Sequence, residues 1–144
     1  MYKELILEVS QGSEFVKIQP PCPENEIDNA EKTVGYQFPK ELRALLRELD
    51  GDKNLLLSAK EIIEQTELNR EIQEEYSDEE FAKELDRFIF FATNGCGDYY
   101  CYHADSDGVL DESAIYIWEH EEYCWKQVAT NMTELITRYY SDEI

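Results

Sequence analysis

The clearest structural signal in this chain lies in residues 88–103, which read FIFFATNGCGDYYCYH. An aromatic-rich run, Phe88–Thr93, precedes a turn-forming segment, Asn94–Asp98, and a second aromatic run, Tyr99–His103. Aromatic residues favour strands, whereas Gly, Asn and Asp favour tight turns. This order predicts two antiparallel strands joined by a turn.

The predicted hairpin continues into a meander. Asp105–Gly108 forms the next turn, and Ala114–Trp118 is a third strand whose side chains alternate between two faces. A turn at 120–122 leads to a fourth strand over 123–128. The capping signature at Asn131–Glu134 then predicts a final helix.

The residues before the hairpin are predicted to be mainly helical. Apolar side chains recur at spacings of three and four over Glu24–Val34, and again after Pro39, a residue preorganised for the first turn of a helix. The second of these helices carries a stripe of four leucines: Leu42, Leu45, Leu46 and Leu49.

Three further elements are predicted between the leucine helix and the hairpin. Leu55–Leu57 indicates a short buried strand. Capping boxes at Ser58–Glu61 and at Ser77–Glu80 each predict the start of a helix, and the second of these helices extends through Leu85.

Helices therefore come first, an antiparallel meander second and one closing helix last. This order is typical of the α+β class. We expect an antiparallel β-meander sheet packed on one face by helices, with a C-terminal closing helix. A length of 144 residues is ordinary for one domain, so residues 1–144 are expected to form a single domain.

The chain is strongly acidic. It carries 33 Asp and Glu residues against 13 Lys and Arg residues, a formal net charge of −20. Contact with a nucleic-acid backbone or with an anionic membrane depends on Lys and Arg, so neither is an expected partner. The charge suits a basic protein partner, or none.

Two segments hold most of the excess acid. Residues 61–86 contain eleven acids against two bases, Arg70 and Lys83, and lie on predicted helices. Residues 88–125 contain eight acids and no Lys or Arg, and these acids fall almost wholly in the turns of the predicted sheet. We interpret the helical acids as a solvated surface.

The turn acids are better candidates for a function. Tyr and Trp residues lie beside them, and an acidic rim around aromatic side chains suits a basic protein partner. We therefore predict a partner-binding surface that includes seven residues: Asp105, Asp107, Trp118, Glu119, His120, Glu121 and Glu122.

No catalytic or cofactor site is predicted. Cys96 or Cys101 could pair with His103 or His120 as nucleophile and base, but no basic residue lies beside either thiol to activate it. The Gly-x-Gly at Gly95–Gly97 is followed by a strand instead of a helix and lacks a phosphate-binding Lys. It therefore indicates a tight turn.

No metal site is predicted either. Zinc ligands usually come in closely spaced pairs, and free cysteines are more often buried in a core. The candidate ligands of the sheet lack that pairing: Cys96, Cys101, His103, His120 and Cys124. Asp105–Gly108 resembles part of a calcium loop, but its Gly is fourth instead of sixth, so we interpret it as a hairpin turn.

The sequence also predicts a cytoplasmic location. The N-terminal apolar run is too short for a signal peptide, and no stretch approaches the ~20 apolar residues that span a bilayer. Without a secretory signal, the four cysteines, Cys22, Cys96, Cys101 and Cys124, are expected to be reduced thiols.

Several motifs occur in a recognisable order. A helix with Ile27 and Glu31 is followed by Gly35–Pro39, the leucine helix and an Asp50–Gly51 stop. The other motifs are Phe90–Asp98, which ends in a Gly-Asp turn, Ala114–Glu121, which ends in an acidic turn with His, and Val128-Ala129 before the last helix. Together they resemble the motifs of the SUKH superfamily (Smi/Knr type) over about residues 20–140. Phe38, where the family usually has Leu, and the acidic segment 61–86 depart from the pattern.

The resemblance implies an α+β fold and a protein that is not an enzyme. Fungal relatives regulate cell-wall glucan synthesis as signalling scaffolds. Many bacterial relatives are immunity proteins that neutralise polymorphic toxins, often nucleases. A compact domain without disordered arms fits the bacterial type better, so the resemblance favours an immunity protein with a cognate toxin as its partner, and a regulator of cell-wall synthesis is the alternative.

Overall fold

The chain folds in the predicted order of helices, antiparallel sheet and closing helix. The computed structural model describes all residues, 1–144. The helical part comprises α1 (Tyr2–Val9), α2 (Glu24–Val34), α3 (Lys40–Glu48), α4 (Ala59–Glu75) and a 3₁₀ helix (Glu80–Arg87). The remainder comprises β1 (Phe88–Thr93), β2 (Tyr99–His103), β3 (Ile115–Glu119), β4 (Cys124–Ala129) and α5 (Met132–Tyr140). The four strands pair in the order β1-β2-β3-β4, all antiparallel, which confirms the predicted α+β class.

The main core lies on one face of the sheet, where the predicted helices pack. It contains 26 buried residues and includes the whole leucine stripe of α3, from Leu42 to Leu49. Strand residues such as Phe91 and Tyr102 meet these helices from the sheet side. The amphipathic pattern of α3 therefore predicts its buried face correctly.

A second, smaller core covers part of the opposite face of the sheet. It combines Phe88, Phe90, Cys101 and Trp118 of the strands with Ala82 and Leu85 of the 3₁₀ helix. The helical layer is therefore not confined to one face. The apolar character of β1 runs through neighbouring positions instead of alternating, which is the pattern of a strand buried on both sides.

The predicted helix after Ser77 is wrong in type and in start. The segment is a 3₁₀ helix that begins at Glu80, and no side chain caps it. Ala82 and Leu85 lie three residues apart, and the threefold period of a 3₁₀ helix places both against the sheet. The capping box at Ser58, by contrast, is confirmed, with both of its reciprocal hydrogen bonds to Glu61 present.

Leu55–Leu57 forms a single bridge instead of the predicted strand. Leu56 pairs with Ala92 at the outer edge of β1, and only two backbone hydrogen bonds join the segments. The carboxylate of Asp52 accepts the backbone N–H groups of Leu55 and Leu56, which bends the chain away from an extended ladder. None of the helices is both long enough and apolar enough to cross a membrane.

Candidate protein-binding site

The β1–β2 turn and the β3–β4 turn lie side by side at one end of the sheet. The His120 ring Nδ1 is 2.7 Å from Asp98 Oδ1, and the His120 backbone N–H donates to the same oxygen at 3.0 Å. In an antiparallel meander alternate turns share an end, and this contact joins the two. Asp98 therefore lies at the same end of the sheet as the acidic residues that follow β3.

Asp105 and Asp107 lie at the opposite end of the sheet, in the β2–β3 connection. The Asp105 carboxylate accepts the backbone N–H groups of Asp107 at 2.9 Å and Val109 at 3.0 Å, which fixes the turn. Both acids are exposed. The seven predicted residues therefore form two separate groups, and only the group from Trp118 to Glu122 lies beside Asp98.

The exposure of the residues after β3 increases along the turn. Glu119 is one-quarter exposed and pairs with Lys126 at 3.2 Å, whereas Glu121 and Glu122 are exposed. Trp118 is only 8% exposed, so little of its ring is accessible to a partner. Its face of β3 belongs to the second core, where its ring packs against Phe90.

An open groove runs between α4, the 3₁₀ helix and the second face of the sheet. Its volume is about 850 Å³. We call it the aromatic groove and define it by its apolar lining and by two acids: Leu68, Ile72, Tyr76, Phe81, Leu85, Phe90, Tyr99, Trp118 and Tyr123, with Glu75 and Glu79. No Lys or Arg lines it. Sequence reasoning did not identify this groove.

One wall of the groove is the C-terminal half of α4. Leu68, Ile72 and Tyr76 follow one another at spacings of four and therefore lie along one side of the helix. Leu68 and Tyr76 are each 47% exposed, whereas Ile72 between them is partly buried against the second core. The spacing is the sequence signal that could have revealed the wall.

The mouth of the groove is closed at one side by Tyr123 of the β3–β4 turn. Its ring stacks on Phe81 of the 3₁₀ helix, with centroids 4.2 Å apart, yet the residue remains 51% exposed. Tyr123 has a φ of 52°, a left-handed conformation that is uncommon for an aromatic residue. The turn therefore holds Tyr123 in a strained backbone conformation that places its ring against Phe81 in the lining of the groove.

The surroundings of the groove carry negative charge with little to offset it. Glu75 and Glu79 are exposed, and Glu121 and Glu122 lie in the same turn as Tyr123. Two cations are already paired with acids: Lys83 with Glu80, and Lys126 with Glu119. A third, Arg70, donates to the backbone carbonyl oxygens at the end of α2. The acids of α4 are exposed as predicted, but Glu75 lines the groove in addition.

The contact between the two turns depends on ionised Asp98. Burial by itself would raise the pKa of Asp98, but hydrogen bonds from the side chain and backbone of His120 and from Asn94 outweigh it and lower the pKa. A lowered pKa in the folded state means that the contact stabilises the fold above the ordinary Asp pKa of 3.8. That contribution is lost as the pH falls through the lowered pKa.

Gly97 is needed where the two turns meet. A Cβ atom at this position would lie 2.9 Å from the His120 ring, and the φ of Gly97 is +96°. We expect Gly97→Ala to lower the free energy of unfolding by about 1–3 kcal/mol, because it adds steric overlap to left-handed strain. Gly95→Ala is the matched control, since Gly95 has a φ of +78° and open space around it. Urea denaturation measures both, and equal losses would contradict a role for the His120 contact.

Cys101 and His103 of β2 contact different partners instead of each other. Cys101 is fully buried, which raises the pKa of its thiol, and the thiol donates to the carbonyl oxygen of Tyr116. The His103 ring instead contacts Glu84 at 3.4 Å. Cys96 is exposed, which corrects the expectation that the sheet cysteines pack in the core.

Two other groups bring three potential metal ligands within 4.8 Å: Cys22, Glu26 and Asp50, and Glu119, Glu122 and Cys124. In each group the thiol is the member that would have to lose its proton to bind a metal. Burial and neighbouring carboxylates raise the pKa of Cys22 to about 12 and also raise the pKa of Cys124. In both groups the surroundings therefore favour the protonated thiol over the thiolate that would bind a metal.

The comparison with protein families assigns the chain. The model of the SMI1 / KNR4 family (SUKH-1) matches residues 21–138. The chain belongs to this family. The match confirms the predicted SUKH resemblance, and the SMI1 / KNR4 region contains the aromatic groove and both turns at the acidic end. A comparison with curated proteins finds no significant match.

Proposed function

We propose that this SMI1 / KNR4 chain is a non-enzymatic protein-binding module that acts in the cytoplasm as an immunity protein. Its partner would be a cognate polymorphic toxin with a basic surface, and a nuclease is the class that fits best. Nucleases hold nucleic acid through Lys and Arg, so an acidic protein can occupy the same basic surface.

The observation that supports this proposal is the acidic end of the sheet beside an aromatic groove. Glu121 and Glu122 are exposed, and Tyr123 immediately follows them at the mouth of the groove. Protein interfaces combine aromatic anchors with a polar rim, and charge complementarity accelerates association and selects the partner. The net charge of −20 favours a basic partner.

Co-expression tests the proposal directly. The probe is the product of a gene adjacent to the one that encodes this chain, produced alone and together with it. We expect the neighbour to arrest growth when produced alone, co-expression to restore growth, and the purified proteins to form a 1:1 complex that suppresses nuclease activity. A harmless neighbour, or a toxic one that this chain neither binds nor inhibits, would contradict the proposal.

The same strains test the cell-wall alternative. Deletion of the gene would then alter wall composition and sensitivity to wall-directed drugs. A wall defect without any protection against a toxin would replace the immunity role by regulation of wall synthesis.

A further inference from the structure

The aromatic groove gathers apolar side chains that the fold leaves uncovered. Leu68, Tyr76 and Tyr123 are three of the large apolar residues that are about half exposed, and all three line this groove. The other large exposed apolar residues lie elsewhere, at the N-terminus, in α1, in the segment after α1 and in the β2–β3 connection. Single exposed apolar residues are ordinary, whereas a contiguous exposed patch marks an interaction site.

The charge around the groove selects a cationic occupant. Glu75 and Glu79 are exposed and line the groove, with no Lys or Arg among the lining residues. A second copy of this chain would bring the same acidic surface and a further charge of −20, so self-association through the groove is disfavoured. An acidic or neutral segment would leave the two carboxylates without a counter-charge.

The aromatic lining favours arginine over lysine. The rings of Tyr76 and Phe81 lie 6.0 Å apart, and the ring of Phe81 stacks on that of Tyr123. A guanidinium group is planar, so it stacks on aromatic faces while its N–H groups donate to carboxylates in a forked geometry. An ammonium group is more strongly hydrated and cannot make both contacts with the same fit.

We infer that the aromatic groove binds an arginine on an amphipathic segment of the partner. The guanidinium would stack on Tyr76 or Tyr123 and pair with Glu75 or Glu79, while a neighbouring apolar side chain of the segment packs against Leu68. This inference rests on the proposed function for the identity of the partner. The chemistry of the groove is independent of it and can be tested alone.

The probe is the peptide acetyl-Leu-Arg-Leu-amide, with a second peptide in which citrulline replaces the arginine. Citrulline keeps the planar shape but has no charge. Titration of the full chain, followed by amide chemical shifts, should move resonances around Tyr76, Phe81 and Tyr123. We expect the arginine peptide to bind at least about fivefold more tightly, because it alone makes charge-assisted hydrogen bonds and a cation–π contact.

Four variants separate the contributions. Glu75→Gln with Glu79→Gln should remove the preference for arginine, and Tyr123→Asn should weaken both peptides, since Asn tolerates the left-handed backbone at that position. Leu68→Ala should also weaken both peptides. Leu7→Ala is its matched control, because Leu7 is likewise a helical leucine and is 53% exposed on α1.

Each outcome decides the inference. Shifts outside the groove, no shift at all, or equal binding of the two peptides would overturn it. If the chain neutralises a toxin and the groove variants neutralise it equally well, the inference fails and the proposed function stands. If the arginine peptide binds as expected and no toxin is neutralised, the groove chemistry stands and the proposed function fails.

Discussion

Replacing Asp52 with Ala is expected to lower the free energy of unfolding by about 3–5 kcal/mol, a large part of the roughly 5–15 kcal/mol typical of a domain. Asp52 is completely buried. Its Oδ1 accepts the backbone N–H groups of Asn54, Leu55 and Leu56 at 2.8–3.0 Å. Its Oδ2 accepts the Tyr140 hydroxyl at 3.0 Å. Removing the carboxylate leaves the N–H groups of Leu55 and Leu56 without partners in a buried place, and urea denaturation measures the loss.

Asp105→Ala is the matched control for this prediction. Asp105 makes the same kind of contact, accepting two backbone N–H groups of its own turn, but it is exposed. Water can replace it, so we expect a loss below about 1 kcal/mol. The loss of unfolding free energy for Tyr140→Phe should lie between those two values, at about 1–2 kcal/mol. Equal losses for Asp52→Ala and Asp105→Ala would show that burial of the carboxylate is not what matters.

Asp52 also shows what the sequence could not reveal. It joins the segment before α4 to α5, and its hydrogen-bond partner Tyr140 lies 88 residues further along the chain. Asp50-Gly51 indicates the end of a helix. Nothing in the sequence around Asp52 indicates that it is buried, since Asp is rarely buried without partners. Only the tertiary structure brings those partners together.

The elements that could be predicted are those with a strong local pattern. The leucine stripe of α3 and the hairpin from Phe88 to His103 have a periodicity or a turn composition of their own, and both are confirmed. The false signal at Ser77–Glu80 has a simple reason. In a segment this rich in Glu, an acid three residues after a Ser occurs without any capping role.

The candidate site could be predicted only in part, because most of it is assembled from distant segments. The acidic turn after β3 was identified from its composition. Its neighbour Asp98, and the opposite wall formed by Leu68, Ile72 and Tyr76, come from other elements. Trp118 precedes the acidic turn in the sequence, but Ala82 and Leu85 of the 3₁₀ helix belong to the same buried cluster as Trp118, on a face of the sheet where no helix is predicted.

Reversing the charges of Glu121 and Glu122 to Lys is expected to slow association with a basic partner by about 10–100-fold at low salt. The two carboxylates are exposed beside the groove, and the change replaces two attractive charges by two repulsive ones. The salt dependence of the association rate should flatten, because electrostatic steering is the contribution that salt screens. Stopped-flow mixing with the partner over a range of salt concentrations measures both effects.

Two matched double reversals show whether position matters as much as charge. Glu4→Lys with Glu8→Lys changes the net charge by the same amount on α1, and Asp107→Lys with Glu112→Lys does so at the other end of the sheet. All three variants should fold with stabilities within about 0.5 kcal/mol of the parent, since exposed charges contribute little. If all three slow association equally, the overall charge is responsible and the acidic turn is not a specific contact. If only the variant at Asp107 and Glu112 does so, the partner binds the opposite end of the sheet, away from Asp98, His120 and the aromatic groove.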